Sequence, residues 1–323
     1  MPEVGDGEAD SALASDATAP RQISARDWGL ILRRVGRHVT AARLLLLSAG
    51  IAFFAVLSIA PVLVTALSVY GAVNTPEQAM EQLSSVARML PPQVQPVVAD
   101  QLTSITAASG QVLTRRGLTG LLIALWTATT AMTSLIDALT LAYHESETRG
   151  FLRRTRLALA LVLGSALLLG AVLAVAGVVS RAADAPEAVH TGAPLLVWLA
   201  LAVLMSGVLS VLYRYAPDRK HARWRWISWG ATGATVLWLA TSVALFAYVQ
   251  RLGTYESTYG SLAGVAISMF WLWITVVLVV VGAAVNAEAE RQTARDSTVG
   301  SDRPLGDRGA VVADSAPPYV EDE

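Results

Sequence analysis

Charged residues disappear from the chain over six long intervals. Residues 44–76, 117–136, 157–180, 188–213, 226–250 and 257–287 contain no Asp, Glu, Lys or Arg. Each interval reaches the ~20 residues that cross a ~30 Å hydrocarbon core at ~1.5 Å per residue. Backbone groups in lipid must be satisfied within their own segment, which predicts helices rather than open strands. The chain therefore reads as an all-α polytopic membrane protein. Its six transmembrane helices fall at about 44–73, 117–140, 157–180, 190–213, 227–250 and 259–287, within a membrane domain of residues 44–291.

The flanks of these intervals predict three further elements. Ser24 can cap a helix with Asp27 three residues on, and Trp28, Ile31, Leu32, Val35 and Val39 recur at helical spacing beside Arg33, Arg34 and Arg37. Residues 24–43 thus form a basic amphipathic helix, either lying on an anionic leaflet or simply extending the first span. Between the first two spans, Thr75-Pro76-Glu77-Gln78 starts a helix and Pro91-Pro92 ends it. Residues 74–116 then read as a short helical cap on the outer face. Residues 1–23 (acidic, without a cation before Arg21) and 292–323 read as disordered tails.

Composition narrows the chemistry. Of 323 residues, 54% are hydrophobic and 15% charged, with a mean hydropathy of +0.50, against about a quarter charged in soluble domains. The absence of cysteine excludes disulfides, thiolate metal sites and thiol nucleophiles. His38, His144, His190 and His221 lie far apart, so no metal-ligand spacing and no cofactor is expected. A net charge of −1 gives no reason to expect nucleic acid. The 24 cations divide by alternating loops, nineteen on the side of both termini and five on the other. The positive-inside rule then puts both termini in the cytoplasm, and the basic rim suits anionic lipid headgroups as partners.

The second span carries the most polar pattern. Thr129, Thr133, Asp137, Thr140 and His144 follow at intervals of four, four, three and four, on one helical face. An ionisable residue inside a span usually faces a cavity or a partner, so this face reads as a polar path or substrate site. Alternatively, Asp137 lies at the headgroups and the threonines return their hydroxyls to carbonyls four residues back. Asn286 and Glu288 would close the same end if the second and sixth spans are neighbours. Pro61 should kink the first span. Gly260 with Gly264, and Gly170 with Ala174, are small-residue pairs that allow close helix packing within the chain or in a homo-oligomer. Trp224, Trp226 and Trp229 read as an interfacial belt.

Several stretches resemble the YihY/virulence factor BrkB family. They are Ser48-Ala49-Gly50-Ile51-Ala52-Phe53-Phe54 through Pro61, Leu125-Trp126 through Asp137, and Glu147-Thr148-Arg149-Gly150-Phe151. Leu212-Tyr213-Arg214-Tyr215-Ala216-Pro217, Thr258-Tyr259-Gly260-Ser261-Leu262 and Gly282-Ala283-Ala284-Val285-Asn286-Ala287-Glu288 continue the match in order to about residue 292. The resemblance implies a six-span inner-membrane protein linked to envelope integrity, virulence and lipid handling, in a family without a settled activity. It also implies that Asp137, Asn286 and Glu288 match family positions. Ala284 stands where the family usually has a glutamate, and Thr140 where it often has an asparagine. An older family label, ribonuclease BN, finds no support in this chain, because the carboxylates and histidines are scattered rather than convergent. Transport of a lipid, amphiphile or small solute is the expected function, with a non-catalytic envelope scaffold that binds another envelope protein as the alternative and an intramembrane enzyme least supported.

Overall fold

The computed structural model describes residues 17–73, 110–181, 187–251 and 262–315. They form an all-helical bundle. A short 3-10 turn at Pro20–Gln22 precedes α1 (Ala25–Ala41), α2 (Leu44–Val73), α3 (Gly110–Ala142), α4 (Phe151–Arg181), α5 (Glu187–Tyr215), α6 (Trp224–Arg251) and α7 (Leu262–Glu290). Among the described residues, five helices carry apolar stretches long enough to cross a membrane: Leu44–Val62, Gly117–Ala142, Phe151–Val172, Trp224–Val249 and Gly264–Glu290. A shorter apolar stretch, Leu199–Tyr215, occupies the second half of α5. The helical cap expected over residues 74–116 lies outside the described residues up to 109, and so does Gly260.

The α1 helix begins as the sequence predicts. The Ser24 hydroxyl accepts the Asp27 amide and donates to the Asp27 carboxylate, which satisfies a donor that the first turn leaves open. Ile31, Val35 and Val39 are buried, whereas Leu32 of the same stripe is 57% exposed. Arg43 sits in the left-handed region at φ 53° and turns the chain sharply between α1 and α2. So α1 is a separate helix folded back onto α7, not a straight extension of the first span.

The last helix is the centre of the bundle, touching α1, α2, α3 and α6. Two close helix crossings set its framework. At the first, α2 and α3 meet at Pro61 and Gly120, where a methyl group on Gly120 would come within 3.3 Å of the Pro61 carbonyl oxygen. α2 continues unbroken through Pro61, which offers no N–H to the Leu57 carbonyl. At the second, α6 and α7 meet at Gly230 and Gly282, and a Cβ on Gly230 would collide with the Gly282 carbonyl. The Asn286 side chain clamps this contact, accepting the Gly230 amide at 2.8 Å and donating to the Ile227 carbonyl at 2.9 Å. The Tyr213 hydroxyl of α5 donates to the Val279 carbonyl of α7 at 2.7 Å. Gly170 makes no such crossing, since a Cβ there would meet nothing within 4 Å among the described residues.

Two expectations need correction. Trp226 is not part of an interfacial belt: it is 1% exposed, in the core, while Trp224 and Trp229 are about half exposed. Trp224, two residues before Trp226, points to the opposite side of the helix. The stretch after 292 is not a disordered tail as far as residue 315. Thr298 bridges to Ala222, the Lys220 amide donates to the Gly309 carbonyl, and Val312 is fully buried. Arg308, nearly buried, donates to the Arg303, Ala294 and Ala313 carbonyls. The Asp314 carboxylate accepts the amides of Gly306, Arg308 and Gly309. Gly306 and Gly309 take positive φ values of 95° and 73°, turns that disfavour a side chain. Polar composition mimics disorder here because the segment is held chiefly by side-chain-to-backbone hydrogen bonds, with few apolar side chains to bury.

Candidate functional site

The α1 end of the bundle concentrates charge where little is expected. Glu288 and Glu290 lie in the last turn of α7, where the helix dipole is already negative. Both carboxylates are buried, at 1% and 0% exposure, and each is met by cations from other elements.

Glu288 organises one cluster. His144 lies 2.8 Å away through Nε2, the Arg34 Nε 3.1 Å away, and Arg291 3.2 Å away. Arg34 also donates to Gln292 at 2.6 Å. The His38 ring stacks on His144 with centroids 3.9 Å apart, and its Nε2–H donates to the Leu141 carbonyl. Burial, and then the stacked His144 ring, lower the proton affinity of His38 below its ordinary value. His144 ends α3 in the left-handed region at φ 58°. The Glu145 amide bonds to the Thr140 carbonyl and the His144 amide to that of Leu141, which is the helix ending usually made with glycine. A histidine in that conformation costs about 1 kcal/mol, and its position against Glu288 compensates.

Glu290 organises the second cluster. Arg219, itself 2% exposed, meets it at 2.7 and 3.3 Å in a two-pronged pair, and the Ser297 hydroxyl donates at 3.0 Å. The same guanidinium lies 4.8 Å over the Tyr143 ring. Burial, then the neighbouring Glu290 charge, raise the Tyr143 phenol well above its ordinary value, so it stays neutral. The folded segment after α7 seals this cluster. The Val311 amide donates to Glu145, whose carboxyl is pushed upward chiefly by burial.

Asp137 belongs to neither cluster. Its carboxylate pairs with Arg154 of α4 at 3.1 Å, with side chains 39% and 28% exposed. Beside it, Arg149 binds Glu147 through two hydrogen bonds, and Asp218 accepts the Thr148 amide and hydroxyl. Burial would raise the Asp218 carboxyl, but the Thr148 donors and Arg149 hold it below its ordinary value. The threonine face is satisfied locally. Thr133 donates to the Thr129 carbonyl and Thr140 to that of Ile136, while the Asp218 amide reaches the Thr140 oxygen.

So α3 and α7 are neighbours, and the residues singled out from the sequence fall into three places. His144 and Glu288 come together. Asn286 clamps α6 to α7, and Asp137 faces α4. Ala284 is fully buried at the core. Sequence reasoning missed His38, Tyr143, Arg154 and Glu290. The available signal was the presence of two carboxylates closing an apolar run with Arg291 three residues after the first, a charge density that a helix end in lipid tolerates only with partners.

At the opposite end, Pro61 and Gly120 border a cleft of about 640 Å³ with Arg115 and Thr119 on its wall. Among the described residues, no group of three His, Asp or Glu side chains is placed to hold a metal ion.

Apolar helices joined by buried ion pairs at one end define a polytopic helical membrane protein. The sequence profile of the Virulence factor BrkB family matches residues 35–305, and the chain belongs to that family. It is similar to a ribonuclease-like protein, YfkH, of Bacillus subtilis strain 168, at 28% identity over 74% of this chain and 88% of that one. A UPF0761 membrane protein of Verminephrobacter eiseniae is 28% identical over 82% of this chain, which spans 63% of that relative's length. One of Tolumonas auensis is 35% identical over 30% of this chain and 31% of its own. No solved structure matches.

Proposed function

We propose that this protein is an integral cytoplasmic-membrane transporter with both termini in the cytoplasm. It moves a lipid, another amphiphile or a small solute in support of envelope integrity. The observation that carries the reading is the asymmetry of the bundle. A cleft beside Pro61 opens at one end, and buried ion pairs around Glu288 and Glu290 close the other. The cleft would be the open mouth of a carrier whose opposite mouth the ion pairs hold closed. The Asp137–Arg154 pair, partly exposed between α3 and α4, is the element of the expected polar path that a passing headgroup or solute can reach. Thr129, Thr133 and Thr140 shape that face, and His144 and Glu288 latch its end.

The protein is not a hydrolase in this reading, although the Bacillus relative carries a ribonuclease-like name. Glu288, Glu290, Asp137 and Asp218 are each committed to cations or donors, which leaves no convergent carboxylates for metal-assisted chemistry among the described residues. Its partners are anionic headgroups at the basic rim, not nucleic acid. One observation favours a scaffold as the second reading: Val299, Leu305 and Val311 expose apolar side chains on the segment that follows α7. A homo-oligomer or an envelope protein would then dock there.

The test is exchange of fluorescent anionic and zwitterionic lipids in vesicles holding the purified protein. Protein-dependent exchange, lowered in Asp137→Asn, is the expected result. Absence of exchange for every lipid, in folded protein that also takes up no small solute, would overturn transport and leave the scaffold. Because the chain has no cysteine, single introduced cysteines at residues 10 and 320 report the side of each terminus by labelling in intact cells.

A further inference from the structure

We propose that α1 is a hinged arm, held against α3 and α7 by the stacked His38 and His144 rings and released when a proton binds at His38. The inference rests on the contacts of α1 and does not depend on the transport reading. The hinge is Arg43, whose left-handed backbone separates α1 from α2. The inner face of the arm is small: Ile31, Val35 and Val39 are the buried side chains of this 17-residue helix. Its polar fastenings lie in its second half and each reaches another element. Arg34 meets Glu288 of α7 at 3.1 Å and Gln292 beyond it at 2.6 Å. His38 meets the Leu141 carbonyl of α3 at 3.0 Å.

The chemistry of the fastening makes it conditional. The Leu141 carbonyl accepts from His38 Nε2, so the neutral ring keeps its proton there and a second proton goes to Nδ1. That proton creates an imidazolium face to face with the His144 ring, with centroids 3.9 Å apart and planes 25° apart. The charged and titratable groups acting on it come from each neighbouring element. They are His144 of α3, Glu288 of α7 and Arg291 just after α7. On α1 itself, Arg34 lies one turn before His38, and Arg37 is adjacent and exposed. Glu288, the carboxylate of the cluster, is already engaged by His144 and Arg291 at Oε1 and by Arg34 at Oε2. A proton on His38 therefore adds charge to a buried group in which two arginines already outnumber one carboxylate. Burial, and then the His144 ring, accordingly hold His38 below its ordinary proton affinity. Swinging α1 outward returns the ring to water, so the released arm binds the proton more tightly than the closed one. Acid then favours release, and the closed arm dominates above the ordinary histidine value of about 6.5. The freed helix has a place to lie. Arg26, Arg33 and Arg37, all exposed, stand opposite its apolar stripe, as on a helix that rests on an anionic leaflet.

Because the chain has no cysteine, single introduced thiols report the arm directly. Val35 is 5% exposed on the inner face of α1, whereas Gly36 is exposed and a Cβ there meets nothing within 4 Å. Full-length Val35→Cys and Gly36→Cys, purified in detergent, are labelled with a water-soluble maleimide from about pH 8 to about pH 5, a range that spans histidine titration. The ratio of the two rates cancels the ionisation of the thiol itself. The ratio is expected to be low and flat above about pH 7, then to rise by up to about tenfold per pH unit, as linkage to one proton requires. His38→Gln keeps a donor for the Leu141 carbonyl and removes the titration, so the ratio stays flat. His144→Asn removes the stacked ring with a side chain that tolerates the left-handed backbone, and flattens the ratio as well. Val312→Cys, at a fully buried position after α7, stays unreactive throughout, because the rest of this end remains folded. A flat ratio with both histidines present, a rise that persists in either histidine variant, or a parallel rise at Val312→Cys would each overturn the arm. If one histidine variant fails to fold, the other decides.

Discussion

Two ion pairs at the same end of the bundle use the same chemistry under different conditions. Arg219–Glu290 is buried at 2% and 0% exposure, in two-pronged geometry, with Ser297 and Tyr143 around it. Asp137–Arg154 is a single contact at 3.1 Å with 39% and 28% exposure. The first pair pins the α5–α6 loop to the end of α7, so neither charge can be rehydrated without opening the fold. The second joins α3 to α4 where water or headgroups can replace either partner. Burial rather than charge sets which pair is structural and which is available to a ligand.

The sharpest way to break the comparison is to remove one partner from each pair. Arg219→Ala leaves Glu290 buried without its cation, which costs roughly 3–5 kcal/mol. Thermal unfolding in detergent should show a large drop in midpoint, or loss of folded protein. A variant as stable as the wild type would mean that Glu290 does not depend on Arg219 in the native state.

A graded effect is expected from pH. The folded protein holds His38 below its ordinary proton affinity, so below about 6.5 the unfolded chain takes up the proton first. Stability then falls as pH decreases through that value, until the folded-state value is also passed. The His38→Gln variant keeps a donor for the Leu141 carbonyl and removes the titration. Subtracting its unfolding curve cancels Glu145, Asp218, His221 and Asp296, which are also shifted. Parallel pH profiles for the two proteins would discard His38 as the source of the pH dependence.

The smallest expected effect on stability is that of Asp137→Asn, at most about 1 kcal/mol for so exposed a pair. Its mark should fall on lipid or solute movement instead. A stability loss comparable to that of Arg219→Ala would show that the two pairs do not differ as their exposure implies.

The polar face of α3 shows how far spacing alone carries. Thr129, Thr133, Asp137, Thr140 and His144 do follow one helix, but the Thr133 and Thr140 hydroxyls return to its own backbone, and the helix ends between Thr140 and His144. Periodicity assumes the helix continues; the left-handed His144 redirects its ring to α7. Glycine pairs behaved likewise. A Cβ at Gly170 meets nothing within 4 Å among the described residues, whereas Gly230 and Gly282, 52 positions apart in sequence, form a tight crossing. Nothing local distinguishes them, because the second helix supplies the contact.

The sequence by itself determined the helical class, the family and the apolar stretches, since these follow from charge-free length and from the cost of unpaired backbone groups in lipid. It also determined the Ser24 cap of α1, a bond between residues three apart. Only the tertiary structure decided that Glu288 meets His144 and Arg34, that Glu290 meets Arg219, and that residues 291–315 fold over them. Those contacts join residues 71 to 254 positions apart. Their charges reveal a need for partners, and the packing of the helices around α7 selects which partners they find.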